Sequence, residues 1–598
     1  MNFLKTYAAS LLAVLTGLIL LIPLSLLIFS GIVASFGSQP ATNVATHSVL
    51  HLKLNKEIVE NASGESFDVD LPIQIPITGG SFSSGKTGLF QLLEQIAKAK
   101  ADENIDGIYL NMQGSVATGW ANLTVIREAL EDFKTTGKFV YAYSEIYSEG
   151  TYYLASTADK IFMPEKGGME FNGLASSPYF IKGLFDKMEL KPKVFKVGTF
   201  KSAVEPYIRK NMSPESKLQT ERYLTAIWDE FAEDVAPSRG MSVDRVNELA
   251  STVIVADGRK ALSVNLIDEI ADEEEVWNQM KTAMNLEADK KLKLVSLKKY
   301  ALAPGGSKGI SKNKIAVVFA EGQIMMGKSS DGVMGSTTIV NAIRKARKDD
   351  NVKGIVLRVN SPGGQVLASD LIANEVKKCK GVKPIVVSMG NVAASGGYWI
   401  SAHSDRIFAQ TNTITGSIGI FGILYDAQAT FNGQLGVSFD EVQTHPYANI
   451  GNPGLPWDAA EETFMQKNIE KGYSDFIHLV MEGRGFADSV SVDKIAQGRV
   501  WIGKDAMDHK LIDEFGDLQD AIAYVAKEAG VEEDYRLLRS PKTTNPMEEI
   551  LKGMSGTTAA KVAEELDLAK EYQNLLKMRK MLPPSGINAM MPYSLEIR

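Results

Sequence analysis

The chain of 598 residues contains a single cysteine, few histidines and no excess of basic side chains. Cys379 has no partner for an intramolecular disulfide. The six histidines show no ligand spacing, and no GxxxxGK[ST] loop is present, so we expect neither a metal site nor a bound nucleotide or other cofactor. A formal charge of −8 lacks the basic footprint of nucleic-acid binding. These absences exclude disulfide scaffolds and argue against metalloenzymes and nucleic-acid binders.

Charge is also absent from a long N-terminal run between Tyr7 and Phe36. Because about 20 apolar residues cross the hydrocarbon core of a bilayer, this run predicts a transmembrane helix within an anchor segment, residues 1–47. Lys5 precedes the run and the next charged residue is Lys53, which favours an N-in orientation in the cytoplasmic (inner) membrane with the body extracytoplasmic. The alternative is a cleaved signal peptide, whose apolar region would usually be shorter, about 7 to 15 residues.

The remainder of the chain contains an internal repeat. Three motifs recur in the same order at a spacing of 245 to 247 residues: NIDGIYL and NVKGIVL at 104 and 351, YYLASTADKIF and YWISAHSDRIF at 152 and 398, and LIDE at 266 and 511. Such self-similarity indicates a duplicated structural unit.

The repeat divides the chain into segments. We place a first copy at 48–297, a linker rich in Pro, Gly, Ser and Lys at 298–313, and a second copy at 314–534. The tail, 535–598, is partly helical in composition.

Within the second copy, apolar runs alternate with stretches of helical spacing. KIAVVFAEGQI, GIVLRVNSPGG and PIVVSMG are typical of buried strands, and TTIVNAIRKARKD and ASDLIANEVKKCKG between them are typical of helices. This alternation predicts an α/β fold with a parallel sheet. Ligands bind beyond the carboxyl ends of such strands, where both NSPGG and GNVAASGG fall.

The NSPGG turn combines a rigid residue with two permissive ones. Pro362 fixes its own φ, whereas Gly363 and Gly364 can adopt positive φ or let a substrate backbone come close. Backbone N–H groups held in this way could stabilise a developing oxyanion. The alternative is an ordinary turn from strand to helix.

Ser395, in GNVAASGGYWIS, stands between two alanines and two glycines that leave its hydroxyl bare. The N–H of Gly396 is positioned to stabilise negative charge beside it, as expected for a nucleophile. The alternative is that the serine merely caps the helix that follows.

NSPGG, GNVAASGGYWIS and TITGSIGIFG together resemble the Clp protease and crotonase-like superfamily. With a tandem repeat and a membrane anchor, the chain is similar to the long bacterial type of the signal peptide peptidase A family. The resemblance implies two tandem Clp protease/crotonase-like α/β repeats and a Ser/Lys dyad. It assigns the nucleophile to Ser395 and the base to Lys201 in FKSAVEP, and lets Ser417 orient the lysine. It also implies a homo-oligomer, a tetramer.

The two copies differ at the positions that matter for this chemistry. The counterpart of Ser395 in the first copy is Glu149, which we expect at the surface or an interface, and QGSVAT replaces NSPGG. The counterpart of Lys201 in the second copy is Tyr447. Each copy therefore lacks what the other supplies, which predicts one composite site. Whether it forms within one chain or between chains stays open.

The base also has histidine alternatives. His403 follows the serine by about two helical turns, beyond easy reach, whereas His445 with Asp440 or Glu441 as orienter is a real competitor. Lys201 could act only if its amine were neutral, and its apolar flanks favour burial and a pKa below the usual value of about 10.4.

The sequence thus predicts a membrane-anchored serine endopeptidase that degrades cleaved signal peptides through an acyl-enzyme. Its partners would be signal peptides and other apolar, extended peptides. Two alternatives stay open: a crotonase-type acyl-CoA enzyme, and a catalytically inactive scaffold in membrane quality control.

Overall fold

The structure is a computed structural model that describes residues 43–62, 86–112, 114, 116–252, 257–304, 311–541 and 586–591. No helix within these ranges is both long and apolar enough to cross a membrane. The predicted anchor helix between Tyr7 and Phe36 lies outside the described residues, as does the tail segment 542–585, which contains most of the helical composition.

The first copy alternates strands and helices along most of its length. Its strands are β1 (Ser48–Lys53), β2 (Glu57–Val59), β3 (Lys86–Gly88), β4 (Ile105–Asn111), β5 (Phe139–Tyr143), β6 (Ile146–Tyr147), β7 (Lys160–Met163), β8 (Gly168–Met169), β9 (Lys191–Val197), β10 (Glu269–Ile270) and β11 (Lys293–Ser296). Its helices are α1 (Leu89–Ala101), α2 (Trp120–Lys134), α3 (Glu149–Ala155), α4 (Lys182–Lys187), α5 (Glu205–Ile208), α6 (Pro214–Ser238), α7 (Val243–Ser251), α8 (Gly258–Ser263), α9 (Glu273–Ala283) and α10 (Leu297–Ala301).

The second copy and the tail repeat this alternation. The strands are β12 (Lys314–Glu321), β13 (Gln323–Met325), β14 (Val333–Gly335), β15 (Val352–Ser361), β16 (Gly363–Gln365), β17 (Ile385–Ala394), β18 (Arg406–Ala409), β19 (Ile414–Gly416), β20 (Ile420–Asp426), β21 (Val500–Ile502), β22 (Glu514–Phe515), β23 (Arg536–Ser540) and β24 (Gly586–Met590). The helices are α11 (Ser336–Lys348), α12 (Val366–Lys377), α13 (Gly396–Ser401), α14 (Ala459–Arg484), α15 (Ser489–Ile495), α16 (Gly503–Asp508) and α17 (Leu518–Glu528), with a π-helix at Thr430–Leu435.

Each copy is built on a sheet in which six parallel strands have the same order. In the first copy these strands form the whole sheet, β10-β7-β5-β4-β1-β11. In the second they run β22-β18-β17-β15-β12-β23, and two further strands complete the sheet, because β19 pairs parallel with β17 and β21 pairs antiparallel with β19. The α/β class and the internal repeat are therefore confirmed. β23 lies in the segment that the sequence assigned to the tail.

Burial explains why these runs form central strands. All six interior residues of β12 are buried, because helices cover a parallel sheet on both faces and its strands become continuously apolar. Helix α11 instead buries one stripe, at Ile339, Ile343 and Ala346, with the spacing of an amphipathic helix.

A third sheet joins the two copies in the order β14-β13-β16-β24-β20-β9. Strand β9 of the first copy pairs antiparallel with β20 of the second along the whole length of both strands. The segment that follows β9, which contains the lysine motif, is thereby held against the second copy.

A buried ion pair also connects the copies. Glu60 Oε2 accepts a hydrogen bond from Arg358 Nε at 2.8 Å, and the two side chains are 1% and 3% exposed. The Glu60 N–H donates to Glu321 Oε1 at 3.1 Å. Burial, together with the charge of Glu60, raises the pKa of Glu321. Removing one partner of such a pair costs about 3–5 kcal/mol, so this contact stabilises the arrangement of the copies.

Candidate active site

The lysine of the site is delivered by the loop that follows β9. Gly198 adopts φ +109, and the N–H of Lys201 donates to its carbonyl at 3.2 Å. Lys201 is completely buried. A Cβ on Gly498 would lie 2.6 Å from Lys201 Cβ, so only glycine lets this loop of the second copy come so close.

The serine stands where β17 ends and α13 begins. Ser395 has φ +57, a left-handed conformation that is rare outside glycine, and its N–H donates to Gly416 O at 2.8 Å. It occupies the N-cap position of α13, yet its side chain makes no capping hydrogen bond. The helix-cap alternative is therefore wrong, because the positive φ turns the hydroxyl elsewhere.

The two side chains meet within one chain. Lys201 Nζ lies 2.8 Å from Ser395 Oγ, although the residues are 194 positions apart. The same nitrogen lies 3.0 Å from both the carbonyl and the hydroxyl oxygen of Ser417. Ser417 itself is held at φ +50 by an N–H bond to Arg499 O, so the structure brings the three predicted residues together.

The surroundings of Lys201 favour an uncharged amine. Burial lowers its pKa well below the usual value. In the part of the chain that the structure describes, no carboxylate lies within ion-pair distance of Nζ. A neutral amine has two N–H donors and one lone pair, which matches two contacts to Ser417 and one to the hydroxyl of Ser395.

The three glycines predicted to line the oxyanion hole differ in the partners of their backbone groups. Gly363 has φ +97, and its N–H donates to Ser361 Oγ at 3.1 Å. Gly364 lies in β16, where it pairs with β13 and β24. Gly396 is the first residue of α13, so the helix itself offers its N–H no acceptor.

Three other residues considered from the sequence, Glu149, Tyr447 and His445, are not part of the contact between Lys201 and Ser395. Glu149, expected at the surface or an interface, is not at the surface: it is buried, and its carboxylate accepts from the Asn172 N–H at 2.9 Å. Tyr447 is 52% exposed. His445 is exposed and contacts Thr444, so the structure gives no support to it as the base.

His403 is also not brought to the serine. It is buried, and its pKa is lowered chiefly by that burial. Among the described residues, no group of three His, Cys, Asp or Glu side chains is arranged to hold a metal ion.

One positioning residue was not foreseen from the sequence. Gln219, buried on α6, donates to Phe200 O at 3.3 Å and Ser202 Oγ at 3.0 Å on both sides of the lysine. Its Oε1 accepts from the Val500 N–H at 3.0 Å. It thus ties the lysine loop to β21 of the second copy. Nothing in the sequence marks one glutamine in a long helix for this purpose.

The chain matches known protein families over much of its length. The model described as "Peptidase family S49" matches residues 132–287 and 377–532, and a "Clp protease" model matches 307–414. "Protease 4" of Salmonella typhi is 36% identical over 492 residues, which covers 80% of this chain and 78% of the relative.

Two further relatives are similar over most of their length. "Protease 4" of Haemophilus influenzae is 34% identical over 511 residues, covering 83% of this chain and 82% of the relative. "Serine protease SPPA, chloroplastic" of Arabidopsis thaliana is 31% identical over 490 residues, covering 80% and 71%.

Proposed function

The chain belongs to peptidase family S49 and is a serine protease, and from this premise we propose that Ser395 and Lys201 form its catalytic dyad. The observation that carries the proposal is the 2.8 Å contact between Lys201 Nζ and Ser395 Oγ in a fully buried setting. Membership of this family sets aside the acyl-CoA enzyme that the sequence left open.

The reaction follows from the hydrogen-bond pattern. The lone pair of neutral Lys201 takes the proton of Ser395 as Oγ attacks a peptide carbonyl, and the resulting ammonium later protonates the leaving amine. Water then enters, gives a proton to Lys201 and attacks the acyl carbon, and the lysine ammonium returns that proton to Ser395 Oγ as the ester bond breaks and the second product leaves. Ser417 holds Nζ through two contacts, so the lone pair is directed at the serine.

Stabilisation of the tetrahedral oxygen is assigned to backbone groups. The N–H of Gly396, next to the nucleophile, is one donor. Gly363 is the second, and its N–H would exchange Ser361 Oγ for the substrate oxygen. Gly364 lies in β16 between β13 and β24, where a Cβ would clash with the backbone of Ile324, so glycine is needed for the close approach of β13.

The substrates that suit the site are apolar extended peptides, including cleaved signal peptides. An apolar cluster adjoins Ala394, the residue before the nucleophile, and consists of Tyr223, Ala226, Ile227, Ile414, Val500, Ile502 and Met591. A wall of this kind favours apolar side chains next to the scissile bond.

The setting proposed for the enzyme is the cytoplasmic membrane. The uncharged run from Tyr7 to Phe36 supports a single N-in anchor with the catalytic body on the extracytoplasmic side. Exposed apolar side chains at Leu435, Val437 and Val442 support association into a homo-oligomer, since such side chains are favoured at interfaces between subunits.

A fluorophosphonate probe tests the dyad. The parent chain should be labelled at Ser395 and should cleave an apolar peptide, and Ser395→Ala should lose both signals while its thermal melting stays unchanged. Ser474→Ala, at an exposed serine of α14, is the matched control and should behave like the parent. Peptide cleavage by Ser395→Ala at the parent rate would overturn the assignment, and absence of labelling in the parent would favour the inactive scaffold.

A further inference from the structure

A strained residue lies in the loop between α15 and β21, residues 496–499. Gln497 has φ +54, a left-handed conformation that costs a residue with a side chain about 1–3 kcal/mol. A conformation of this kind persists only where surrounding contacts hold it, and it clusters at functional sites. The contacts of Gln497 therefore indicate what the strained conformation does.

Two side chains of the second copy hold Gln497 in this conformation. Tyr473, on α14, accepts a hydrogen bond from the Gln497 N–H at 3.2 Å and donates its own proton to Asp493 Oδ1 on α15. The same carboxylate oxygen accepts from Gln497 Nε2 at 2.7 Å. Burial, together with the hydrogen bond to Asp493, raises the pKa of Tyr473, so its hydroxyl stays a donor. The three residues form a closed ring of hydrogen bonds.

On its other side, Gln497 contacts the lysine loop of the first copy, residues 198–201. Its carbonyl accepts from the Phe200 N–H at 2.9 Å, and its Oε1 accepts from the Thr199 N–H at 3.4 Å. A Cβ on Gly198 would lie 2.5 Å from the Gln497 carbonyl, so the two backbones are in direct contact. These contacts hold the residues that immediately precede Lys201.

The loop that contains Gln497 also fixes the partner of the lysine amine. Arg499 O accepts from the Ser417 N–H at 2.6 Å, and both side-chain and carbonyl oxygens of Ser417 contact Lys201 Nζ. The Gly498 N–H donates to Ile418 O at 2.8 Å, beside that serine. Residues 497–499 therefore act on the lysine at its backbone and, through Ser417, at its amine.

We infer that Gln497 is a positioning residue for the catalytic base. Held by Tyr473 and Asp493, it fixes the lysine loop so that Nζ stays at hydrogen-bond distance from the nucleophile and shielded from water. This inference rests on the proposed function, because it takes Lys201 as the base. Release of the loop would misplace the amine and let water reach it, and a misplacement of about 1 Å can cost about 100-fold in rate.

Hydrogen exchange tests the hold on the loop without any need for activity. Tyr473→Phe and Gln497→Ala break the ring at two different members, which covers the case in which one variant does not fold. In either variant, backbone N–H groups in peptides that cover residues 199–201 should exchange about tenfold faster, or more, than in the parent. Mass spectrometry of the full chain measures this rate.

Two control variants separate this effect from a general loss of stability. Tyr300→Phe removes the hydroxyl of another buried tyrosine, which donates to Asp102 in the first copy, and matches Tyr473→Phe. Lys510→Ala shortens an exposed side chain at φ +58 and matches Gln497→Ala. Both controls should exchange like the parent at residues 199–201.

Kinetics then test what the hold contributes to catalysis. In both ring variants, kcat for an apolar peptide should fall about 10–100-fold with KM within twofold, because Gln497 contacts the lysine loop and not the proposed substrate wall. The acidic limb of kcat/KM should move to higher pH, since hydration of Lys201 offsets the burial that lowers its pKa. A residue that only stabilises the fold would leave that limb in place. Combining Tyr473→Phe with Gln497→Ala should add little, because both break the same ring.

The outcomes separate this inference from the proposed function. Unchanged exchange at residues 199–201 in both ring variants would overturn the inference, and so would faster exchange with kcat and the acidic limb as in the parent. In either case, an inactive Lys201→Met enzyme would leave the dyad standing. An active Lys201→Met enzyme would overturn the dyad itself, and the role of Gln497 with it.

Discussion

The N-cap positions of two corresponding helices, α3 in the first copy and α13 in the second, are used in opposite ways. In the first copy, Ser148 at φ −88 caps helix α3, and its Oγ accepts from the Thr151 N–H. In the second, Ser395 at φ +57 precedes α13 and caps nothing. The first serine stabilises a helix by about 1 kcal/mol, whereas the second is held in a conformation that costs about 1–3 kcal/mol. A hydroxyl is available for chemistry only where it is not used for capping.

The lysine segment shows the converse difference. Lys201 of the first copy is buried against the second copy, whereas its counterpart Tyr447 is half exposed and stacks on Phe464 of its own copy. Both copies retain the parallel sheet, but only the first provides the lysine and only the second provides the serine. The comparison shows how a duplicated fold can form one site from two incomplete halves.

The largest effect should come from removing the amine that the first copy supplies. Lys201→Met keeps an apolar side chain of similar length in the buried site, so folding should persist while kcat/KM falls by about 10³-fold. Lys193→Met on β9, which removes an ion pair with Glu462 outside the site, is the matched control. If kcat/KM of Lys201→Met were within tenfold of the control value, the first copy would not supply the catalytic base.

Titration should distinguish this lysine from its many exposed counterparts. Because burial lowers its pKa, the acidic limb of kcat/KM should lie well below the usual lysine value. On that limb, activity should fall about tenfold for each unit of decreasing pH. An acidic limb of kcat/KM centred near pH 10 would contradict a buried Lys201 that acts as a neutral amine.

The same burial has a consequence for stability. Between the lowered pKa of Lys201 in the folded chain and the usual lysine pKa, the unfolded chain binds a proton on this residue that the folded chain does not, so its contribution to the free energy of unfolding should rise with pH over that range. Chemical denaturation at several pH values gives the free energy of unfolding as a function of pH. This free energy should rise less steeply with pH in Lys201→Met than in the parent.

A smaller loss of activity should follow from a substitution that separates the two copies at Lys201. Gly498→Ala introduces a Cβ 2.6 Å from Lys201 Cβ and should lower kcat by about 10–100-fold, equivalent to about 1.4–2.7 kcal/mol. Gly485→Ala carries a similar positive φ, +69, with open space around it, and so reports backbone strain alone. Equal kinetic losses in both variants would show that contact with the lysine is not the cause.

The smallest effect on activity should come from making the first copy resemble the second. Glu149→Ser supplies a hydroxyl at the counterpart of Ser395, but Tyr447 stands where the second copy would have to supply the lysine, so kcat should stay within twofold and no second labelled serine should appear. The Asn172 N–H loses its acceptor, which should cost about 1–3 kcal/mol in urea denaturation. Labelling at position 149 would mean that the first copy has a base of its own.

Much of this organisation was open to prediction from local patterns. The repeat follows from motif spacing, and the parallel sheets follow from apolar runs alternating with helical stretches. Ser395 could be singled out because its neighbours are small. Lys201, by contrast, is identified only through the family resemblance, since nothing local separates it from other lysines. For Glu149 the sequence predicts a position at the surface or an interface, and its burial beside the Asn172 N–H is not visible in sequence.

By itself, the sequence determined the α/β class, the duplication and the residue types available for catalysis, because these depend on periodicity and chemistry along a short stretch of chain. The tertiary structure decided that Lys201 and Ser395 meet within one chain and that Gln219 and Gly498 position the lysine. The physical reason is that burial and distance arise from packing between segments far apart in sequence. The pKa of an amine depends on what surrounds it, and no local pattern records that.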